Sequence, residues 1–292
     1  MSVKESDIMR AQKMLHLHPT GVIDELSQAA IRNFQLKGGI PVTGELDILT
    51  SEAMFSGEKD LSTDLSDHYG NFIQDYYLPK GEYVEHPTQK EYLFLHHTAG
   101  WNNPYRVVDM WGSDARGRIG TQYIIGGINP RSGDDSYDGT VLRCFDDEHY
   151  AWHLGGVDRY MHKHSIGIEV CNFGQLTKKG NEFYTYANTK VNPDQVTTLD
   201  RPFRGYKYWH KYSDKQIASL RDLIIYVTEL HGISRHVGLQ ERLTHMSPRD
   251  AFDYYDEAKF GEVKGILSHT SVRPDKFDMF PQDNLVDMLM GL

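Results

Sequence analysis

The chain has 292 residues, of which 39% are hydrophobic, so it is long enough for two domains that each have a core. Its 31 basic and 41 acidic residues give a formal net charge of −10, which disfavours a nucleic-acid partner and electrostatic docking on anionic lipid or wall polymer. No apolar run approaches a membrane span, and residues 1–7 lack the hydrophobic stretch of a signal peptide. We therefore expect a protein made in the cytoplasm, without a signal peptide.

The first sixty residues have an apolar pattern with helical periodicity. This pattern predicts three short helices over residues 7–17, 24–36 and 46–55, separated by turns around Gly21 and Gly39. The turn sequence Thr-Gly-x-x-Asp occurs twice, beginning at Thr20 and at Thr43. We expect residues 1–58 to form a small all-α domain of three helices. A generic helical module for folding or dimerisation is the alternative.

A mostly polar stretch follows the helical region. Residues 56–67 are rich in Gly, Ser, Thr, Asp, Glu and Lys, and such a segment cannot bury much apolar surface. We interpret residues 59–76 as a linker and residues 77–292 as a second domain.

Two adjacent histidines end an apolar, aromatic run, Tyr-Leu-Phe-Leu-His96-His97. The run predicts a strand that is buried on both faces. Because successive side chains on a strand point in opposite directions, only one of the two histidines can reach a given site. The residues alone do not decide which one, and a hydrogen-bonded buried pair without a metal is the alternative.

A second strand is predicted at Ser165-Ile-Gly-Ile-Glu169-Val-Cys171, where residues alternate with a period of two. The face that carries Glu169 is small and polar, as expected for the wall of a cleft. A carboxylate there can act as a general base, whereas the alternative is a solvent-facing glutamate. Cys171 lies on the same face as an alternative metal ligand, and it need not pair with Cys144.

Two further segments complete the predicted fold. The aromatic segment 204–212 could line a glycan or peptide groove, but we favour burial in the core. Residues 214–231 have the apolar stripe of a helix, with a capping box between Ser213 and Gln216 and a terminating Gly232. Strands on either side of this helix indicate an α/β fold with a mixed central sheet flanked by helices.

The C-terminal motif His269-x6-Lys276-x-Asp278 supplies further candidate ligands. Catalytic zinc requires three protein ligands, drawn from imidazoles, thiolates or carboxylates, and one open position. His96, His269 and Asp278 satisfy this requirement. In an extended loop Lys276 and Asp278 would face the same side, which places a cation beside the metal.

Five motifs in register resemble the zinc-dependent N-acetylmuramoyl-L-alanine amidases of type 2, whose fold is shared with peptidoglycan recognition proteins. They are spread over residues 77–285 and are, in order, Leu-His96-His97-Thr98-Ala-Gly, Asp138-Gly-Thr-Val, Ala151-Trp152-His153, Ser165-Ile-Gly-Ile-Glu169 and His269-x6-Lys276-x-Asp278.

The resemblance implies roles for five residues. Zn2+ would be bound by His96, His269 and Asp278, Glu169 would be the general base, and Lys276 would stabilise the oxyanion. Three departures occur: many relatives have one more residue between the second histidine and the lysine, many have Pro-Gly where this chain has Met279-Phe280, and some have a catalytic tyrosine where it has Thr121. The last departure leaves Glu169 as the base.

The helical segment resembles the peptidoglycan-binding domains attached to many cell-wall hydrolases. The resemblance rests on Gln12-x-x-Leu15, the two Thr-Gly turns and Ala30-x-x-x-Phe34-Gln35. The two resemblances and the lack of a signal-peptide pattern together imply a phage lytic amidase that acts on bacterial peptidoglycan, either released by a holin or carried in the virion with other phage proteins. The alternatives are a non-catalytic recognition module and a structural virion protein.

Overall fold

The chain divides into two units, Met1–Asp67 and His68–Leu292. The computed structural model describes residues 5–15, 17, 19–55 and 72–292. Most of the predicted linker, residues 59–71, lies outside the described residues. Its last residues do not: Ile73–Asp75 form strand β1 of the main sheet, so the prediction of a linker as far as residue 76 is wrong. These residues pair with another strand, which a polar sequence pattern alone does not reveal.

The first unit contains the three predicted helices, α1 (Glu5–Met14), α2 (Glu25–Gly38) and α3 (Ile48–Phe55). Asp24 caps α2, because its carboxylate accepts a hydrogen bond from the amide of Ser27. Gly39 ends the helix in the left-handed conformation, with φ of 65°. The buried core consists of Ala11, Ile31, Leu46 and Met54.

Two buried glutamines hold the Thr-Gly turns. The side-chain amide of Gln12 donates to Thr20 Oγ1, Val22 O and Ser27 Oγ, at separations of 8, 10 and 15 residues. Gln35 repeats the pattern at the same separations, donating to Thr43, Glu45 and Thr50. Each glutamine oxygen also accepts from the glycine amide of its turn. The unit is therefore an internal repeat, with one glutamine at the centre of each half.

We expect Gln35→Ala to destabilise the first unit by on the order of 3 kcal/mol, because it leaves several buried polar groups without a partner. Native-state hydrogen exchange of the α2 amides in the full chain measures this change. Gln28→Ala, on the more exposed surface of the same helix, is the control. Equal exchange in the two variants would contradict the proposed role of the glutamine.

The second unit is built on a six-stranded mixed sheet of order β1-β4-β3-β5-β2-β11. All neighbouring strands are parallel except β3 and β4, which are antiparallel. The strands are β1 (Ile73–Asp75), β2 (Tyr92–His97), β3 (Tyr123–Ile125), β4 (Val141–Arg143), β5 (Ser165–Val170) and β11 (Ile266–Ser268).

The central strands are largely buried because apolar residues dominate them. All six residues of β2 are buried, as the sequence predicts. The parallel pairing of β2 with β5 places His96 opposite Glu169, and β11 pairs with β2 on its other side. Three predicted site segments therefore end at one edge of the sheet.

A second, antiparallel sheet of order β8-β7-β6-β10-β9 was not predicted. Its strands are β6 (Gln175–Lys179), β7 (Glu182–Tyr184), β8 (Lys190–Val191), β9 (Val196–Phe203) and β10 (Tyr206–His210). The aromatic segment 204–212 spans its β9–β10 turn and β10. Trp209 and Tyr212 are fully buried, so the prediction that this segment contributes to the core is confirmed for these two residues.

Helices flank the main sheet, so the predicted α/β class is confirmed. They are α4 (Pro104–Trp111), α5 (Arg159–Lys163), α6 (Asp214–His231), α7 (Leu239–His245), α8 (Pro248–Ala251), α9 (Asp256–Lys259), α10 (His269–Val272) and α11 (Asp283–Met290). The capping box of Ser213 with Gln216 and the left-handed Gly232 confirm both predicted ends of α6. Within the described residues, none of the helices has the length and apolarity to cross a membrane.

Candidate metal centre and active site

Three side chains meet where the parallel strands end. His96 is near the end of β2, and His269 follows β11 directly as the first residue of α10. Asp278 lies on the loop after α10, which returns to the helix through a hydrogen bond from Thr270 N to Asp278 O. Among the described residues, these three form the one group of histidine, cysteine and acidic side chains able to hold a metal ion.

The ligand atoms form a nearly equilateral triangle. His96 Nδ1 lies 3.1 Å from His269 Nδ1 and 3.1 Å from Asp278 Oδ2, and His269 Nδ1 lies 2.9 Å from Asp278 Oδ2. If both nitrogens donate to the carboxylate, two of the three short distances are hydrogen bonds, but the third then brings two N–H groups together. The ligand atoms of tetrahedral zinc lie about 3.3 Å apart, so a single bound cation would account for all three short distances. The residues therefore fit a metal.

The electrostatics of the cluster keep His96 and Asp278 in metal-binding form. Burial lowers the pKa of His96 to about 4, so its imidazole is neutral at pH 7. Burial opposes ionisation of Asp278, but the adjacent His269 and His96 outweigh it and hold the pKa of Asp278 well below its usual range. A neutral imidazole and an ionised carboxylate are the forms that bind a cation.

His97, the other histidine of the pair, contacts different groups. Its Nδ1 lies 2.9 Å from the hydroxyl of Tyr212, and its ring packs edge-on against Phe280. The structure therefore brings His96, and not His97, to the cluster, which resolves the choice that the residues left open.

A hydrogen-bond relay orients His96 from behind. His96 Nε2 lies 3.0 Å from His153 Nδ1, and His153 Nε2 lies 2.8 Å from Ser165 Oγ. When His96 Nδ1 faces a metal, its Nε2 carries the proton and donates to His153, whose Nε2 then donates to Ser165. Gly167 makes room for this arrangement, since a Cβ there would lie 2.6 Å from Thr121 and 3.1 Å from His153.

Glu169 and Lys276 line the same cleft as the three clustered side chains. The cleft has a volume of about 390 Å³. Glu169 keeps some solvent exposure, but its Oε2 is buried and receives no hydrogen bond from the part of the chain that the structure describes. Burial raises the pKa of Glu169 well above its usual value, the charge of Asp278 raises it further, and Lys276 lowers it. The cleft therefore holds an unpartnered carboxyl oxygen beside the candidate metal centre.

The packing shows the surroundings of Cys171, the alternative metal ligand, and of Thr121. Cys171 is buried in an apolar cluster that also contains Cys144, and burial raises the pKa of its thiol well above the usual range. It is therefore an unsuitable ligand, and the two cysteines are free thiols. Thr121 lines the cleft, where its hydroxyl donates to the carbonyl of Tyr123.

Sequence reasoning missed the roles of two residues. His153 lies in the motif Ala151-Trp152-His153, but nothing in the spacing of that motif connects it to His96. Arg204 begins the aromatic segment 204–212, yet its side chain contacts the loop that carries Lys276 and Asp278. Both contacts join residues that are far apart in the chain, and no local pattern reveals them.

Each of the two units matches the model of a known protein family. A family model described as "N-acetylmuramoyl-L-alanine amidase" matches residues 86–256, which is more than half of the chain. The chain belongs to the N-acetylmuramoyl-L-alanine amidase family. This amidase also carries an N-terminal match, over residues 5–54, to a model described as "Putative peptidoglycan binding domain". The amidase match ends before His269, so the positions of His269 and Asp278 rest on the geometry above.

Several solved structures resemble the amidase. They include PlyL (11% identity, covering 69% of this chain and 84% of that one, TM-score 0.38). LysCS, an endolysin N-acetylmuramoyl-L-alanine amidase from Clostridium intestinale, has 13% identity, 71% and 86% coverage and a TM-score of 0.37. AmiD from E. coli, in complex with an anhydro-muramoyl peptide substrate, has 16% identity, 70% and 82% coverage and a TM-score of 0.33. No curated protein matches the amidase.

We expect His153→Ala to weaken zinc binding about 10- to 100-fold, because His96 loses the partner that fixes its ring and tautomer. Competition with a chromogenic chelator measures the affinity. His236→Ala removes an exposed imidazole elsewhere and is the control. Unchanged affinity in the His153 variant would show that the relay does not support the metal centre.

Proposed function

We propose that this amidase hydrolyses the bond between the lactyl group of N-acetylmuramic acid and L-alanine, with zinc held by His96, His269 and Asp278. The observation that carries the proposal is the triangle of two imidazole nitrogens and one carboxylate oxygen in the cleft that Glu169 and Lys276 also line. Bound zinc would supply Lewis-acid chemistry, polarising the amide carbonyl and making water more acidic. Family membership supports peptidoglycan as the substrate.

Glu169 acts as the general base in this proposal. Its side chain lines the cleft, and its Oε2 receives no hydrogen bond from the described residues. The carboxylate would take a proton from the attacking water and pass it to the leaving L-alanine nitrogen. Burial makes the carboxylate more basic than a solvated glutamate, which favours the first of these transfers. Thr121 has no acidic group to share this role.

Lys276 stabilises the charge that develops on the substrate's carbonyl oxygen. Its side chain lines the cleft, and Lys276 precedes Asp278 by two residues in the chain. The loop that would supply a metal ligand therefore also supplies the positively charged lysine. Removal of a comparable oxyanion donor costs about 100- to 1000-fold in turnover.

The N-terminal domain retains the enzyme on its polymeric substrate. Its match to a peptidoglycan-binding model supports a tether that raises the local concentration of the catalytic unit on the wall. The net charge of −10 gives the chain little attraction for anionic wall polymers, so retention depends on specific contacts. Use of the enzyme by a phage to lyse its host stays a prediction.

The test is amine release from purified sacculi. Wild type is expected to release new L-alanine amines, to lose this activity on chelation and to regain it with zinc. Glu169→Gln should bind zinc normally but hydrolyse about 100- to 10,000-fold more slowly, because it cannot accept a proton.

Two results would contradict the proposal. Normal turnover by Glu169→Gln would exclude its role as base. Binding to sacculi without amine release from any sample would favour a non-catalytic recognition module.

Lys276→Met offers a second test through the pH profile. Lys276 lowers the pKa of Glu169, so its removal raises that pKa. Because the base must be ionised, the acidic limb of kcat/KM should move to higher pH, and turnover should fall about 100-fold or more. Lys80→Met, at an exposed lysine, is the control. An unshifted acidic limb would show that Lys276 and Glu169 are not electrostatically coupled.

A further inference from the structure

An arginine occupies a turn position that disfavours it. The β9–β10 hairpin turns through Arg204 and Gly205, whose φ angles are 49° and 85°. Two successive positive φ values define a type I′ turn, in which Asn-Gly and Asp-Gly are preferred. An arginine at the first position is strained because its Cβ crowds the backbone in the left-handed region. Contacts of the side chain must therefore compensate for this conformation.

The Arg204 guanidinium reaches the loop that carries the candidate site residues. Nη1 donates to the carbonyls of Arg273 (3.0 Å), Pro274 and Lys276 (2.9 Å). Nη2 donates to the carbonyl of Thr270 at 3.0 Å. One side chain thus fixes both ends and the middle of the segment between His269 and Asp278.

Burial and charge strengthen this contact. The Arg204 side chain is only 8% exposed, and Nη2 also pairs with Asp253 Oδ1 at 2.6 Å. A buried guanidinium needs such partners, and its planar fork can donate to several acceptors in fixed directions.

The same hairpin holds the loop by aromatic contacts. Tyr206 packs edge-on against Phe277, with ring centroids 5.6 Å apart. Trp209 of β10 and Tyr212, which follows β10, both stack on the ring of Phe280, with centroid distances of 4.4 and 4.5 Å. Aromatic residues of the second sheet therefore pack against the loop on both sides of Asp278, and Arg204 adds polar contacts to the same loop.

We propose that Arg204 is a positioning residue that holds Lys276 and Asp278 in place for metal binding and turnover. This inference rests on the proposed function, which assigns those two residues their roles. Within the described residues, the guanidinium donates to carbonyls of α10 and the following loop and to Asp253, and it lies over the ring of Phe203. Arg204 does not line the cleft, so it acts through the loop and not on the substrate.

The test compares Arg204→Asn with wild type. Asparagine suits the turn, so the hairpin should still fold while the loop loses its clamp; the melting temperature should fall, because buried carbonyls lose their donor. Zinc affinity should fall about 10-fold or more, and kcat at saturating zinc should fall about 100-fold with little change in KM. In the metal-free protein, hydrogen exchange of the Thr270 and Lys276 amides should accelerate.

Two variants serve as controls. Arg201→Asn removes an exposed arginine from the same hairpin and should behave as wild type. Arg204→Lys keeps the charge without the planar fork and should show the same losses in smaller measure. If Arg204→Asn does not fold, Arg204→Lys and Asp253→Asn carry the test.

The outcomes separate this inference from the proposed function. The clamp alone would be overturned if the folded Arg204 variants keep zinc affinity, kcat and amide exchange within about twofold of wild type while Lys276→Met is impaired. Full activity of Lys276→Met would instead overturn the proposed role of that lysine, whatever the Arg204 variants do.

Discussion

Two imidazole nitrogens and one carboxylate oxygen lie within 3.1 Å of one another, and this convergence is the constraint on which the site depends. The parallel strands make it possible. His96 on β2 and Glu169 on β5 are paired residues of neighbouring parallel strands, and β11, which pairs with β2, leads directly into His269. Because parallel strands share the direction of their carboxyl ends, residues far apart in the chain reach one edge of the sheet.

Lys276 and Asp278 lie on the loop after α10, and loops open locally more readily than strands. The second sheet compensates for this tendency. Phe280 is stacked with both Trp209 and Tyr212, and Arg204 binds the loop carbonyls. An antiparallel sheet with little direct part in the chemistry therefore determines how rigidly Asp278 and Lys276 are held.

Local patterns predicted much of the fold and most of the candidate site. The apolar run of β2, the alternation in β5 and the capped stripe of α6 are properties of short segments, and the structure confirms all three. Strand β1 and the second sheet escaped prediction because short or polar strands are stabilised by their partners more than by their own residues. His153 and Arg204 escaped for the same reason: each acts through a contact that only the folded chain creates.

The most direct measurement is an anomalous difference map at the zinc absorption edge, from crystals of the full chain grown with Zn2+. We expect one strong peak in the cleft, about 2.0–2.2 Å from His96 Nδ1, His269 Nδ1 and Asp278 Oδ2. A cleft without a peak, or a peak bound by other residues, would contradict the assignment of these three side chains as the metal ligands.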